Sequence, residues 1–273
     1  MNLKIVHHTR YDYSTEVFLD PHYLNFYPQP RPHLKLKKFD LKINPEPSGI
    51  FEKASMENNY QHQCWFNDLT DKLHIEVKME VETSQFNPFG FYHDSNTKIS
   101  SELSSLYIHR LTGYSEEISS FVDQIESECG NDTIKFLAAL VDGIKSNWGH
   151  EVRYESNILS VEDCFLAKNG SCRDLTWMMM HILGYRNIPT RFVSGYARNP
   201  DLGEGHELHA WLEAYLPGAG WIGLDPSAGL FTTSNYIPTA ASLDPKNTMP
   251  VIGQYRGEAK SQMKTAVTIE KLD

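Results

Sequence analysis

The feature that most constrains the fold is a change in the period of the hydrophobic pattern along the chain. The stretch KLHIEVKMEVE, residues 72–82, alternates apolar and polar residues, which predicts a strand with one buried face and one face toward water. From about residue 115 onward, apolar residues instead recur every three or four positions, which predicts helices. The second half then alternates helical and strand-like segments, so an α+β protein is predicted.

Residues 1 to about 85 are predicted to form a small antiparallel β-sandwich. Short strand-like runs are separated there by the breaks YPQPRP and NPEPSG, whose prolines interrupt regular structure. In HLKLKKFDLKI, the apolar residues lie at even positions before Lys37-Lys38 and at odd positions after it. This shift predicts a β-bulge. Residues 86–100 show neither period and are predicted to be a linker. We therefore predict an N-terminal β-rich domain over residues 1–95 and a second domain over residues 96–273.

The second predicted domain includes the lead-in helices and the C-terminal tail. Gly130 is expected to end the first helix, and Asp132 or Thr133 is expected to cap the second. Ser160, followed by Asp163, resembles a capping box at the start of a short helix. Strands are predicted in NIPTRFVSGYA, HELHAWLEAYL and GWIGLDPSAG, with a last one at TAVTIE.

Composition and charge exclude several classes of protein. The chain of 273 residues has a formal net charge of −10, which makes it a poor candidate for binding nucleic acid. It has no apolar run of about 18 residues, and its first residues lack the features of a signal peptide. We therefore expect a cytoplasmic protein with no membrane partner. The four cysteines form no C-x-x-C pair, so neither a disulfide framework nor a structural zinc knuckle is expected.

Cys172 differs from the other cysteines in its local context. Cys172, Leu175, Met179 and Ile182 recur at helical spacing, and Gly184 is a suitable C-terminal stop. Cys172 would then lie in the first turn, where free N–H groups and the helix dipole stabilise a thiolate. The Asn-Gly pair just before it lets the chain turn sharply. The pattern predicts a nucleophile instead of an inert buried thiol.

A thiolate nucleophile needs a base, and the base needs an orienting group. His209 lies near the start of one predicted strand, and Asp225 ends the next, where the following proline blocks continuation. The alternative is a metal site built from Cys172, His206, His209 and Asp225. It is disfavoured because two histidines three residues apart on a strand point to opposite faces. His206 is instead interpreted as a surface or rim residue.

Several segments resemble the transglutaminase-like superfamily of papain-related enzymes. GSCRD, IPTRFVSGYA, HAWLEAYL and GWIGLDPS follow in order and at the spacing of that superfamily's motif blocks, over roughly residues 150–230. The start of the chain, HHTRYDYSTEVFLDPHYLNFYPQP, is similar to the β-rich domain that precedes this core in bacterial members. The resemblance implies a papain-like core, in which a helix-borne cysteine packs on an antiparallel sheet.

Carried over by position, the resemblance implies that Cys172 is the nucleophile, His209 the base and Asp225 the orienting carboxylate. Asp174 also matches a motif position, and we expect it to interact with backbone N–H groups or pack structurally, without a part in the chemistry. The chain departs from relatives after Asp225, where it reads NYIPTAASLDPKNT, so substrate contacts from that segment are not carried over.

The implied activity is cysteine-dependent acyl transfer on peptide or isopeptide amides through a thioester, without cofactor or metal. Hydrolysis of a peptide or protein substrate is the favoured outcome, and transfer to an amine, as in a transglutaminase, is the alternative. A catalytically silent binding module on the same scaffold is a third interpretation. The backbone N–H of Cys172 is the expected oxyanion donor.

Overall fold

The computed structural model describes residues 1–109, 115–153, 155, 157–198 and 208–272. These divide into two compact units. Unit one comprises Met1–Phe86, Ser194–Leu208 and Ser234–Asp273, and unit two comprises Asn87–Val193 and His209–Thr233. Each compact unit is therefore built from more than one segment of the chain, whereas the predicted domains, residues 1–95 and 96–273, are each continuous. The tail falls in unit one because its last strand pairs along the first strand of the chain.

The first six strands lie in the N-terminal segment of unit one. They are β1 (Asn2–Leu19), β2 (His22–Leu24), β3 (Leu34–Asn44), β4 (Gly49–Ala54), β5 (Tyr60–Trp65) and β6 (Leu69–Thr83). The alternation noted in residues 72–82 lies within β6, where Leu73, Ile75 and Val77 are buried. The predicted bulge is confirmed, because the pairing of β3 with β6 shifts register between Leu36 and Lys38.

The middle of the chain contains the helices. The elements are α1 (Ser101–Tyr107), α2 (Glu116–Cys129), α3 (Thr133–Asn147), β7 (Gly149–His150), α4 (Val161–Ala167), β8 (Asn169–Gly170), α5 (Cys172–Tyr185), β9 (Thr190–Ala197), β10 (Leu208–Leu216), β11 (Gly220–Asp225) and β12 (Leu230–Phe231). Gly130 follows the end of α2 with a φ of 61°, and Asp132 caps α3, as predicted. Residues 86–100 contain no helix or strand, in agreement with the predicted linker.

The chain then returns to strands. The remaining elements are β13 (Tyr236–Ser242), a 3-10 turn (Pro245–Thr248), β14 (Val251–Ile252), β15 (Tyr255–Arg256) and β16 (Ser261–Leu272). In unit one, one sheet has the order β15-β1-β6-β3, with β16 also paired to β1, and the other has the order β14-β2-β5-β4. Buried apolar side chains from both sheets form one core, which is the predicted β-sandwich.

Unit two packs its helices against a sheet in which the order of strands is β12-β11-β10-β9. Its core joins the buried faces of α2, α3 and α5 to residues of β10 and β11. The predicted α+β class, with a helix-borne cysteine packed on an antiparallel sheet, is confirmed. Among the described residues, no helix has both the length and the apolar character required to cross a membrane.

The end of α5 differs from the prediction at Gly184. The helix continues through Gly184 to Tyr185, so this glycine is not the stop. A Cβ at position 184 would lie 1.8 Å from the backbone oxygen of His109, so the glycine permits close approach of another chain segment. A glycine at position 184 is therefore needed for close packing against His109, and not for ending the helix.

Candidate active site

Cys172 is the first residue of α5, and the start of this helix is tightly capped. Ser171 is the N-cap, and its side chain accepts a hydrogen bond from the backbone N–H of Asp174. In return, Asp174 Oδ2 accepts from the backbone N–H of Ser171 at 2.9 Å and from its hydroxyl at 2.6 Å. This reciprocal capping box fixes the backbone on both sides of Cys172.

Asp174 also anchors a neighbouring chain segment. Arg153 Nη1 donates to both carboxylate oxygens, at 2.9 and 2.8 Å, and the backbone N–H of Leu159 donates to Oδ1 at 2.8 Å. Burial alone would raise the pKa of Asp174, but hydrogen bonds from Ser171, Leu159 and Arg153 outweigh it and lower the pKa. The carboxylate is therefore charged and fully engaged, which confirms the expectation that it binds backbone N–H groups.

Cys172 is half-buried, and its sulfur is surrounded by hydrogen-bond donors. Burial by itself would raise its pKa, but hydrogen bonds from the imidazoles of His150 and His209 and from the backbone N–H of Ala210 oppose this. Together with the charge of His209 they lower the pKa of Cys172 to about 6. The thiolate is thus the main form at neutral pH, and the thiolate is the reactive species of cysteine.

His209 lies at the start of β10 and is held from two directions. Its Nε2 lies 2.7 Å from Asp225 Oδ2, which leaves Nδ1 as the nitrogen that can face Cys172. Burial would lower the pKa of His209, but the charge and hydrogen bond of Asp225 and the contact with Cys172 raise it well above 6.5. The geometry therefore favours a thiolate and an imidazolium side by side.

The strand that carries His209 is fastened to the helix that carries Cys172. Thr176 Oγ1, one turn into α5, donates to the backbone oxygen of Ala210 at 3.3 Å. The N–H of Ala210 in turn hydrogen-bonds the sulfur of Cys172. A single residue next to His209 thus links the two elements that bear Cys172 and His209.

Asp225 ends β11, as predicted, and has no exposed surface. Its Oδ1 accepts from the Ser227 backbone N–H at 2.9 Å, the Ser227 hydroxyl at 2.7 Å and the Ala228 backbone N–H at 3.1 Å. Its Oδ2 is left for His209. These donors compensate for burial of the charge, so the carboxylate can hold the imidazole in one orientation.

The structure brings Cys172, His209 and Asp225 together, so the three positions carried over from the resemblance converge in unit two. The predicted rim residue His206 lies outside the described residues. Among the described residues, no group of three or more histidine, cysteine, aspartate or glutamate side chains is arranged to hold a metal ion.

His150 contacts Cys172 but was not predicted from the sequence. It lies in β7, which pairs in parallel with β8, so that His150 is opposite Gly170. A strand of two residues carries no periodic pattern, and His150 is one of 12 histidines, so the sequence offers no signal that selects it. The same holds for Arg153 and for the backbone N–H of Ala210, whose roles depend on tertiary contacts.

Fold and site together define a transglutaminase-like core with an additional β-rich region. Residues 119–226 match the family model described as the transglutaminase-like superfamily, and residues 3–82 match the one described as the bacterial transglutaminase-like N-terminal region. These two matches together cover more than half of the chain. The chain belongs to the transglutaminase-like superfamily.

Comparison with solved structures supports the same fold. A protein from Cytophaga hutchinsonii, described as a "putative cysteine protease", aligns over 100% of this chain and 92% of its own, with a TM-score of 0.72 and 17% identity. At this identity the likeness concerns the fold alone.

Two curated relatives are similar over parts of their length. An uncharacterised protein of Mycobacterium leprae (strain TN) is 31% identical over 108 residues, which are 38% of this chain and 38% of that protein. The uncharacterised protein YebA of Bacillus subtilis (strain 168) is 28% identical over 83 residues, which are 26% of this chain and 11% of that protein. The chain therefore spans well under half the length of these relatives.

Proposed function

We propose that this chain is a cysteine-dependent acyl-transfer enzyme that hydrolyses peptide or isopeptide amides. The observation that carries the proposal is the contact of the Cys172 thiolate with His209, whose other ring nitrogen is held by the buried Asp225. A nucleophile, a base and an orienting group in this order are the parts that covalent acyl transfer requires. The description of the Cytophaga hutchinsonii protein as a "putative cysteine protease" supports the hydrolytic form.

In the first half of the reaction, the thiolate of Cys172 attacks the amide carbonyl carbon. A carbon–sulfur bond forms, and the carbonyl electron pair moves onto the oxygen. The backbone N–H of Cys172, free at the helix N-terminus, is placed to stabilise that oxyanion. As the intermediate collapses, His209 gives its proton to the leaving amine, and the acyl group stays on the sulfur as a thioester.

In the second half, an acceptor attacks the thioester. His209, now neutral, removes a proton from a water molecule whose oxygen bonds to the carbonyl carbon. The carbon–sulfur bond breaks, the acid leaves, and the resting pair of thiolate and imidazolium is restored. A primary amine could replace water by the same steps, and the product would then be a new amide, as in a transglutaminase.

The experiment compares wild type, Cys172→Ala and Cys164→Ala with a peptide library, with and without methylamine, by mass spectrometry. Cys164→Ala is the matched control, because Cys164 is a fully buried thiol in the same unit. We expect hydrolysed peptides with wild type and the control, and none with Cys172→Ala. If wild type instead formed methylamine-linked products, the reaction would be transamidation and not hydrolysis. If wild type made no more of either product than Cys172→Ala, the proposed function would be wrong.

A further inference from the structure

The short segment that carries His150 is fixed beside the nucleophile by its backbone. The N–H of Gly149 donates to Lys168 O at 2.8 Å, and the N–H of Glu151 donates to Gly170 O at 3.0 Å. A Cβ at Gly149 would lie 2.7 Å from Asn169 Oδ1, so a larger residue there would displace the Asn169 side chain. His150 is thereby held opposite Gly170, two residues before Cys172.

The far end of the same segment is fixed as well. Arg153, three residues after His150, forms the ion pair with the buried Asp174 that caps α5. Arg173 Nη2 also donates to the backbone oxygens of Arg153 and Glu155, at 3.1 and 2.7 Å. The position of His150 relative to the start of α5 is thus set by hydrogen bonds on both sides.

The His150 imidazole hydrogen-bonds the Cys172 sulfur, yet the residue itself is exposed. His209, by contrast, is only partly exposed and is hydrogen-bonded to Asp225. Because His150 has no carboxylate in the hydrogen bonds described for it, it is not arranged as a second base. It is arranged as an N–H donor that a substrate can reach.

We propose that His150 is a further catalytic residue, which supplies the side-chain half of the oxyanion hole. The proposal rests on the proposed function. When the thiolate attacks, the carbonyl oxygen becomes negative while bonded to the same carbon as the sulfur, so a donor that touches the sulfur has a short distance to reach it. His150 keeps its proton throughout: it donates a hydrogen bond to the oxyanion together with the Cys172 N–H, and the leaving group takes its proton from His209.

Two probes separate an oxyanion donor from a residue that only stabilises the thiolate. p-Nitrophenyl acetate acylates the sulfur through a tetrahedral oxyanion and releases coloured p-nitrophenolate. Iodoacetamide alkylates the same sulfur by direct displacement at carbon, without an oxyanion. Both are measured with wild type, His150→Ala, His150→Gln and Cys172→Ala, with circular dichroism and a thermal melt for each variant.

We expect the acylation burst of His150→Ala to be about 100-fold slower than that of wild type, the effect typical of one lost oxyanion donor. At about pH 9, where the thiol is ionised in each variant, alkylation should change by less than about threefold. His150→Gln keeps an N–H donor and should recover at least about tenfold of the lost acylation rate.

Three results would overturn the proposal. The first is an unchanged burst in His150→Ala, and the second is an equal loss of acylation and alkylation at high pH, which would indicate a structural role. The third is a glutamine variant no faster than the alanine variant. A wild type with no burst above Cys172→Ala would contradict the proposed function itself, and the role of His150 with it.

Discussion

Helices α4 and α5 begin with the same pattern, yet their cysteines lie in different environments. Each starts with a serine N-cap whose side chain accepts from the backbone N–H of an aspartate three residues on: Ser160 with Asp163, and Ser171 with Asp174. In α4 the pair is exposed. In α5 it is buried and continues into Arg153 and the backbone N–H of Leu159. The capping sequence alone does not distinguish a site from an ordinary helix start.

The two cysteines of these helices show the consequence. Cys164 lies inside α4, fully buried, where desolvation raises its pKa to about 12. Cys172 is the first residue of α5, where donors from other elements overcome desolvation and lower its pKa to about 6. The comparison teaches that burial makes a thiol inert unless hydrogen-bond donors and a cation are brought to it.

The largest expected effect comes from removing the charge that supports the imidazolium. In Asp225→Asn, one amide oxygen can keep the bonds from Ser227 and Ala228, but the amide N–H₂ then faces His209 Nε2. The imidazole would be driven to the tautomer with its proton on Nδ1, toward the thiol, and could no longer accept a proton there. We expect acylation by p-nitrophenyl acetate to fall by about 10,000-fold. Asp163→Asn, which removes an exposed carboxylate in the first turn of α4, is the control and should stay near wild type.

The next effect tests the buried cap. Asp174→Asn should lower the free energy of unfolding by about 3 kcal/mol, because Arg153, whose side chain is only 13% exposed, loses its charged partner. Asp163→Asn, whose carboxylate is exposed, should cost less than about 1 kcal/mol. Urea unfolding near neutral pH measures both differences.

The pH dependence of this difference has a definite sign. The pKa of Asp174 is lowered in the folded protein, so its contribution to stability is present above the unfolded value of about 4 and is lost as the pH falls below it. The gap between wild type and Asp174→Asn should therefore shrink in acid. If Asp174→Asn and Asp163→Asn lowered the free energy of unfolding equally, burial of the cap would add nothing to stability.

A direct comparison of the two thiols gives a smaller effect. With iodoacetamide at neutral pH, Cys172 should react at least about 100-fold faster than Cys164, since thiolate fraction outweighs the lower nucleophilicity of a low-pKa thiolate. The rate at Cys172 should fall as the pH drops through about 6. Peptide mass spectrometry after limited labelling measures each cysteine separately, and similar labelling of the two would contradict the environments described here.

The fold and the meeting of Cys172, His209 and Asp225 were largely predictable from the sequence, because each depends on a pattern that can be read along the chain. The alternation of β6 and the helical spacing from Cys172 to Ile182 are such patterns. The motif blocks then selected His209 and Asp225 from many histidines and aspartates. Helix α1 was not predicted, because it spans only seven residues, too few to repeat a hydrophobic pattern, and none of them is buried.

The remaining parts of the site depend on contacts between segments distant in sequence. His150 reaches Cys172 through a parallel pairing of two residues, and Arg153 reaches Asp174 across 21 positions. Neither contact leaves a local pattern. The C-terminal tail is a similar case: the strand at TAVTIE was predicted, but its antiparallel pairing with β1, which takes the tail into unit one, was not.

The smallest effect concerns the link between α5 and β10. Thr176→Val removes the hydroxyl that donates to Ala210 O while keeping the shape of the side chain, so the N–H of Ala210 should be less well aimed at the sulfur. We expect about fivefold slower acylation, for a loss of about 1 kcal/mol, and a higher apparent pKa for alkylation of Cys172. Thr190→Val is the matched control, because Thr190 is buried and its hydroxyl makes no hydrogen bond in the described structure. A normal alkylation profile in Thr176→Val would mean that the position of Ala210, and with it the low pKa of the thiol, is set by the strand alone.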